Sequence, residues 1–335
     1  MRAVVFEELG GPDVLKVVEV PDPEPGPGEL SIDVAYAGVG FGDVKARAGG
    51  YRIGGQPFRS GAELSGAHRP GVEVSGRVRA VGEGVTAFVP GQAVAAFTSR
   101  GGYAEIAVAP AVTVFALPPS LSLRAAATLP NALPTAYALL HEVGRLREGD
   151  TVLIQGAAGG VGTVAGQLAR MGGASAVYGV VSSFAKSEHA LKSGYDQVFA
   201  DTTFDDDVRA VTRGRGVDIA LDPVGGETFR RTLAVVGRFG RMVSFGNTSS
   251  NEPWEVGPGQ MYPLGISVAG FSVFAMAAKD PERLKEIADR AFSAVIEGGL
   301  ELPVSAEFAL EDAPEAHRLL ESRTSTSKLL LRVAP

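Results

Sequence analysis

A glycine-rich segment between an apolar run and an amphipathic run constrains this chain more than any other feature. Residues Thr151–Gln155 are apolar enough for a buried strand, and the segment Gly156-Ala-Ala-Gly-Gly-Val-Gly162 follows directly. Apolar residues then recur at helical spacing between Val161 and Leu168. A strand that enters a helix through such a turn presents backbone N–H groups and the positive helix end to a phosphate. The segment therefore predicts a dinucleotide site whose pyrophosphate contacts are Ala158, Gly159, Gly160 and Val161.

The residues after this segment repeat the same alternation of buried strand and amphipathic helix as far as Phe245, and a further apolar strand covers Ile266–Phe271. Such an alternation is typical of a doubly wound parallel sheet covered by helices on both faces. Helices are also predicted over Ser122–Leu129, Thr135–Val143 and Pro281–Gly298. The alternative, a tight turn that binds nothing, is disfavoured because the turn lies in the strand–turn–helix context that dinucleotide sites require.

The first part of the chain, to about residue 120, is β-rich. Short apolar runs alternate there with glycine and proline turns, and the tail Lys328–Val333 is also strand-like. A chain of 335 residues is too long for one core of ordinary size, so two domains are expected. The fold class is α/β, with a β-rich domain beside a parallel-sheet domain.

Composition excludes several classes of function. The net charge is −7, which disfavours the basic surface that nucleic acid needs. No apolar stretch is long enough for a membrane span or a signal peptide, so we predict a cytoplasmic protein with no membrane partner. The absence of cysteine excludes a thiolate metal site, and the four histidines form no close pair, so no metal site is predicted.

The end of the second strand, Ala176–Val181, indicates which coenzyme is bound. Sites that prefer NAD place a carboxylate there to bind the ribose diol. This chain has Ser182, Ser183 and Lys186 instead. Hydroxyls and an ammonium bind a 2′-phosphate, whereas a carboxylate repels one. We therefore predict NADPH; the alternative is that the serines only cap the next helix while Lys186 is solvated.

These motifs together identify a family. The segments Gly156–Gly162, Ser244–Thr248, Asp222–Gly226, Gly101–Glu105 and Gly71–Gly76 occur in the order found in the zinc-free quinone oxidoreductases of the medium-chain dehydrogenase/reductase superfamily, which the chain resembles over its whole length. The resemblance implies a GroES-like catalytic domain over residues 1–122 and 272–335 and a Rossmann domain over 123–271. It also implies a homodimer joined through the last Rossmann strand, Ile266–Phe274.

The resemblance also assigns residues. Lys186 matches a lysine that binds the 2′-phosphate, and Arg323 matches an arginine that reaches the coenzyme. Further matches to coenzyme-contacting positions are Thr135, Phe245 and Asn247. Two positions depart from the family: Gly40 replaces an asparagine beside the nicotinamide, and Asp201 replaces a tyrosine that some members place at the 2′-phosphate.

A zinc-free site favours conjugated acceptors, because they delocalise the charge that hydride transfer creates. We therefore predict hydride transfer from NADPH to a quinone or an α,β-unsaturated carbonyl (enone). Candidate donors to the developing negative oxygen are Tyr51, Lys45 and Arg47. The alternatives are that Lys45 and Arg47 are solvated charges on a helix face and that Tyr51 only packs; Asp43 is expected to cap or brace this loop.

Two other functions remain open. The first is reduction of an enoyl thioester in polyketide or other secondary metabolism, for which Gly40 provides space. The second is a sensor or structural protein that binds NADPH without turnover, since the family asparagine is missing and no general acid is evident.

Overall fold

Short runs with one apolar face form the strands of the first part of the chain, because each strand buries one face and leaves the other polar. In chain order they are β1 (Arg2–Val5), β2 (Lys16–Glu19), β3 (Glu29–Val39), β4 (Arg52–Ile53), β5 (Gln56–Pro57), β6 (Glu73–Val81), β7 (Ala93–Phe97), β8 (Ile106–Pro110) and β9 (Val114–Ala116). Helix α1 (Phe41–Arg47) follows β3, and α2 (Leu123–Ala126) follows β9. The computed structural model describes residues 1–50, 52–53, 56–57, 67–98, 101–249, 255–301 and 303–334.

The rest of the chain alternates strands with helices, as the apolar patterning predicts. The elements are α3 (Ala132–Tyr137), β10 (Thr151–Gln155), α4 (Gly160–Met171), β11 (Ala176–Val181), α5 (Ser187–Lys192), β12 (Gln197–Ala200), α6 (Phe204–Val211), β13 (Val217–Asp222), α7 (Gly226–Leu233), β14 (Val236–Ser244), α8 (Pro258–Met261), β15 (Ser267–Gly270), α9 (Val273–Lys279), α10 (Pro281–Gly298), β16 (Val304–Ala309), α11 (Ala313–Glu321) and β17 (Lys328–Arg332).

The chain divides into two compact units. Unit 1 comprises Met1–Asn131, Ala277–Asp289 and Leu302–Pro335, and unit 2 comprises Ala132–Met276 and Arg290–Glu301. The family resemblance places the domain limits between residues 122 and 123 and between residues 271 and 272, and these limits remain predictions. The boundaries of the compact units follow Asn131 and Met276.

Unit 2 contains a six-stranded sheet in the order β12-β11-β10-β13-β14-β15, and all five pairings are parallel. The central strand β10 is buried from Val152 to Gln155, as expected for a strand covered on both faces. The strand order changes direction between β10 and β13, so the carboxyl ends of these strands form the crevice where doubly wound folds bind ligands.

Unit 1 contains an antiparallel sheet in the order β16-β17-β3-β6-β7-β9, except that β16 and β17 are parallel, and β8 pairs with β3. Its core includes fully buried Leu30 and Ile32 from β3 and Leu329 from β17. Strand β17 therefore returns the C-terminal segment to the sheet of the first strands, which matches the GroES-like architecture.

One predicted element is wrong in extent. The last Rossmann strand was expected over Ile266–Phe274, but β15 ends at Gly270 and α9 begins at Val273. The Ser272 Oγ accepts a hydrogen bond of 3.2 Å from the Ala275 N–H, so a side-chain cap starts a helix where the apolar pattern continued. In the described part of the chain, no helix has both the length and the apolarity to cross a bilayer.

Helix α10 begins at a side-chain cap. The Asp280 Oδ1 accepts a hydrogen bond of 3.1 Å from the Arg283 N–H. We expect Asp280→Ala to destabilise the first turn by about 1 kcal/mol, because one backbone donor loses its acceptor. Because two units need not unfold together, hydrogen exchange at the Arg283 amide is the suitable measurement. Exchange should accelerate about fivefold for that cost, whereas Glu297→Ala at the far end should leave it unchanged; equal effects would contradict the cap.

Candidate functional site

The glycine-rich turn of unit 2 leaves the start of α4 without a side-chain cap. Gly156 has φ +67°, a left-handed conformation that favours glycine. The Gly159 N–H donates to the Gly156 carbonyl at 2.9 Å, and the Thr163 N–H donates to the Gly159 carbonyl at 2.8 Å. Gly159 is the N-cap residue and has no side chain to accept from the first turn. The N–H groups at Gly160 and Val161 are therefore available to a phosphate.

Close packing holds the turn against the helix. A Cβ atom on Gly162 would lie 2.3 Å from the Gly156 carbonyl oxygen, so only glycine fits there. The Tyr195 hydroxyl, which is buried, donates to the Gly162 carbonyl at 2.7 Å. Gly166 makes room for that ring, because its Cβ would lie 2.4 Å from Tyr195 Cε2. Tyr195 has no local sequence signal, which is why the sequence alone does not reveal this support.

The parallel register brings the second strand's end to the same edge. Gln155 of β10 pairs with Val180 of β11, and the Ala157 N–H donates to the Val180 carbonyl at 3.0 Å. The next residues, Ser182 and Ser183, are exposed. The residues predicted to bind the coenzyme phosphates therefore lie at neighbouring strand ends.

One of the two roles predicted for the serines, capping of the next helical turn, is seen at Ser183. The Ser183 Oγ accepts a hydrogen bond of 3.3 Å from the Ala185 N–H, so this hydroxyl caps the short helical turn that follows. Ser183 stays exposed while it does so, and Lys186 is half-buried one turn later. Capping therefore does not exclude a phosphate beside these side chains.

The loop after β12 is held by an arginine that no sequence motif indicates. The Arg231 Nη1 donates to the Asp201 carbonyl at 2.8 Å, and Nη2 donates to the Thr202 carbonyl at 2.9 Å. Arg231 also pairs with Asp205, and this carboxylate raises the arginine's pKa through a hydrogen bond. The Arg231 guanidinium therefore lies beside Asp201, the residue that departs from the family pattern.

Two further loops extend the same carboxyl edge of the sheet. The buried Asp222 side chain accepts from the Val224 N–H at 2.7 Å and from the Gly225 N–H at 3.1 Å. Burial raises the pKa of Asp222 to about 6. In register, Asp222 pairs with Ser244, so Phe245 and Asn247 follow at the neighbouring strand end.

Asn247 has a buried side-chain oxygen, Oδ1. A Cβ on Gly225 would lie 2.1 Å from Asn247 Oδ1, so the glycine makes space for the carboxamide. Among the described residues, Oδ1 has no hydrogen-bond partner although it is buried. A buried acceptor that lacks a partner is costly, and a ligand donor would satisfy it.

The other two positions assigned by resemblance lie in different units. Thr135 is buried in α3, which packs against α4 in unit 2. Arg323 is exposed in unit 1, just after α11, with φ +56°. Their roles toward the coenzyme stay predictions.

The three candidate oxygen donors have different environments. Tyr51 lies outside the described residues. Lys45 is half-buried, with Nζ 6.0 Å from the centre of the Phe41 ring. Arg47 is 1% exposed and forms an ion pair with Glu321, so the solvated alternative is wrong for Arg47. Burial of the whole side chain favours a structural role for Arg47.

Asp43 braces the loop that precedes α1, as expected. Its Oδ2 accepts from the Gly40 N–H and its Oδ1 accepts from the Gly71 N–H, both at 3.1 Å. The Tyr103 hydroxyl lies 3.5 Å from Asp43 Oδ2 and 3.2 Å from His317 Nε2. Burial, assisted by the nearby charge of Arg47, lowers the pKa of His317 to about 3.

The described histidines are committed to other contacts. His317 meets Tyr103, and His189 Nε2 lies 2.8 Å from Thr163 Oγ1. His68 stacks on Phe6, and His141 packs on Tyr137. Across the described ranges, no three His, Cys, Asp or Glu side chains are grouped as metal ligands.

Comparisons with known proteins agree with this architecture. A family model described as an alcohol dehydrogenase GroES-like domain matches residues 26–119, and one described as a zinc-binding dehydrogenase matches residues 160–293. A quinone oxidoreductase from Rattus norvegicus is 31% identical over 99% of this chain and 97% of its own length. Quinone oxidoreductase from Escherichia coli, solved with NADPH, has a TM-score of 0.88 at 29% identity, covering 99% of this chain and 100% of its own.

A highly-reducing polyketide synthase from Aureobasidium melanogenum is 32% identical over 98% of this chain, which spans 14% of that protein. The GroES-like sheet and the Rossmann sheet with its glycine-rich turn define a medium-chain dehydrogenase/reductase. Within that superfamily, the chain belongs to the quinone oxidoreductase family.

The close packing at Gly162 yields a stability test. We expect Gly162→Ala to lower the free energy of unfolding of unit 2 by about 1–3 kcal/mol. The reason is that the added methyl group overlaps a backbone carbonyl that cannot move freely. Thermal unfolding measures this change. The matched control is Gly259→Ala, whose Cβ would have no atom within 4 Å. A similar melting temperature for both variants would show that the turn is not tightly packed.

Proposed function

We propose that the protein transfers a hydride from NADPH to a quinone or an enone, without zinc. The observation that carries this proposal is the shared strand edge where an uncapped helix start lies beside Ser182, Ser183 and Lys186, with no carboxylate at the end of β11. This edge can hold both a pyrophosphate and a 2′-phosphate. The E. coli relative solved with NADPH supports the same coenzyme.

Each part of the edge has a defined task. The N–H groups of the glycine-rich turn bind the bridging phosphates, and the Ser182–Lys186 segment binds the 2′-phosphate. Asn247 Oδ1 accepts a hydrogen bond from the coenzyme, which removes its unsatisfied state. When bound, NADPH supplies the hydride. Lys45 and Tyr51 are the proposed donors to the substrate oxygen that gains charge.

Reduction of an enoyl thioester is a second candidate. The polyketide synthase relative favours it, although this chain corresponds to a small part of that protein. Gly40, which has no side chain, also allows a bulky acceptor near α1. Binding of NADPH without turnover is a third candidate, and one assay separates the three.

That assay follows oxidation of NADPH with three panels of acceptors: quinones, enones and enoyl thioesters. We expect turnover with quinones or enones, because delocalised acceptors need no Lewis acid. Treatment with EDTA should leave the rate unchanged, and elemental analysis should find no stoichiometric zinc. Turnover with thioesters alone would replace the first proposal with the second, and binding without turnover in all panels would leave only the third.

Coenzyme choice is tested at Lys186. We expect Lys186→Ala to weaken NADPH binding about 10- to 100-fold, the value of one charge-assisted hydrogen bond to a phosphate. NADH binding should change little, since it lacks that phosphate. Fluorescence titration measures both constants. Lys192→Ala is the matched control, because Lys192 is an exposed lysine of the following helix and pairs with Glu188. Equal loss of NADPH and NADH binding in Lys186→Ala would refute the assignment.

We also propose a homodimer joined through β15. This strand is the edge of the six-stranded sheet and pairs on one side with β14. An unpaired edge can add a strand from a second copy. Light scattering should therefore report twice the chain mass of 34.6 kDa. A mass of one chain at micromolar concentration would contradict this assembly.

A further inference from the structure

We propose that Asn131 supplies the amide group that the family resemblance predicts at position 40, where this chain has Gly40, and that it donates a hydrogen bond to the substrate oxygen during hydride transfer. This inference rests on the proposed function. It concerns a residue outside the motifs that identify the family, and all the residues that carry it belong to unit 1.

Two glycines on one face of the chain at the end of β3 make space for other side chains. Gly38 and Gly40 are two residues apart in extended backbone, so side chains at both positions would point the same way. A Cβ on Gly38 would lie 2.6 Å from Glu73 Cγ. A Cβ on Gly40 would lie 3.3 Å from Asp43 Oδ2 and 4.0 Å from Asn131 Nδ2. The volume that residue 40 would fill is therefore bordered by the Asn131 carboxamide.

A buried ion pair positions Asn131. The Asn131 N–H donates to Glu73 Oε2 at 3.2 Å. Glu73 is fully buried, and its other oxygen pairs with Lys328, whose side chain is 8% exposed. A buried pair is expensive to assemble, and removal of one partner leaves an uncompensated charge, so both side chains are held in one geometry. Here it ties the Asn131 backbone to β6 and β17, while Gly38 leaves the room that Glu73 needs.

The carboxamide suits the chemistry of the proposed reaction. Its NH2 group carries two N–H donors, so one interaction within the protein does not exhaust it. A neutral donor aimed at the oxygen that gains negative charge stabilises the transition state without a metal ion. An asparagine at position 40 and the native Asn131 would place their amides in the same region. In this chain the amide in that region is attached at position 131 and not at position 40.

Three variants test this exchange. Asn131→Ala removes the donor. Asn131→Asp keeps an equally good residue for the position that precedes α3, because Asp and Asn cap helices alike, but it replaces the donor with an acceptor. The double variant Gly40→Asn with Asn131→Ala returns the amide to position 40. Gly40 has φ −118°, which any residue adopts, so the backbone permits this change.

We expect kcat with the best acceptor to fall about 100-fold in Asn131→Ala and at least as far in Asn131→Asp, the loss typical of one oxyanion donor. The double variant should recover at least a tenfold part of that loss. KM for NADPH should stay near the native value in all three. Retained kcat in Asn131→Asp would show a merely structural role, and failure of the double variant to exceed Asn131→Ala would show that position 40 and Asn131 are not interchangeable. Either result overturns the inference.

A second readout separates this inference from the proposed function. The emission of bound NADPH reports the surroundings of its nicotinamide and needs no turnover. Asn131→Ala should shift that emission, the double variant should reverse the shift, and Lys186→Ala should not shift it at saturating coenzyme. If native protein binds NADPH but reduces no acceptor, the proposed function fails while the emission still decides whether Asn131 lies at the nicotinamide; an unshifted spectrum in Asn131→Ala refutes that placement.

Discussion

The close approach of Gly162 to the carbonyls of Gly156 and Ala157 is the constraint on which the strand edge proposed for the coenzyme depends. A helix can begin this close to the end of a buried strand only if its first turn has no side chain at that point. The close approach aims the N–H groups of α4 outward at the strand edge. The Tyr195 hydroxyl also holds the turn, through its hydrogen bond to the Gly162 carbonyl. The phosphate site that we propose at this edge depends on that geometry.

The parallel sheet explains why residues far apart in sequence lie at one edge. Strands β11, β10, β13 and β14 are neighbours and all point the same way, so the segments that follow them meet at one edge. Each segment contributes a different group: hydroxyls and an ammonium after β11, amides after β10, and a carboxamide after β14. Asp222 after β13 is used internally, because its oxygens satisfy the N–H groups that form the turn beside Asn247. Its raised pKa reflects the burial that this bracing requires.

Unit 1 uses buried polar groups to fix a loop that apolar packing alone would leave variable. Asp43 joins the backbone at Gly40 and Gly71, and Tyr103 connects this carboxylate to His317. Arg47 ties α1 to Glu321 near the C-terminus. Polar groups in an apolar surrounding need specific partners, so such contacts favour one loop geometry over others. The start of α1 is therefore held by segments from both ends of the chain.

The sequence by itself determined the α/β class, the strand–turn–helix at Gly156–Gly162, the absence of a carboxylate after β11 and the helix that begins at Pro281. These features are local, because glycine conformations, apolar periodicity and caps depend on residues a few positions apart. Only the tertiary structure revealed the burial of Arg47 against Glu321 and the support from Tyr195. It alone also placed Asn131 beside Gly40. Each of these depends on residues brought together from distant parts of the chain by strand pairing and side-chain packing, and no local pattern encodes such a pairing.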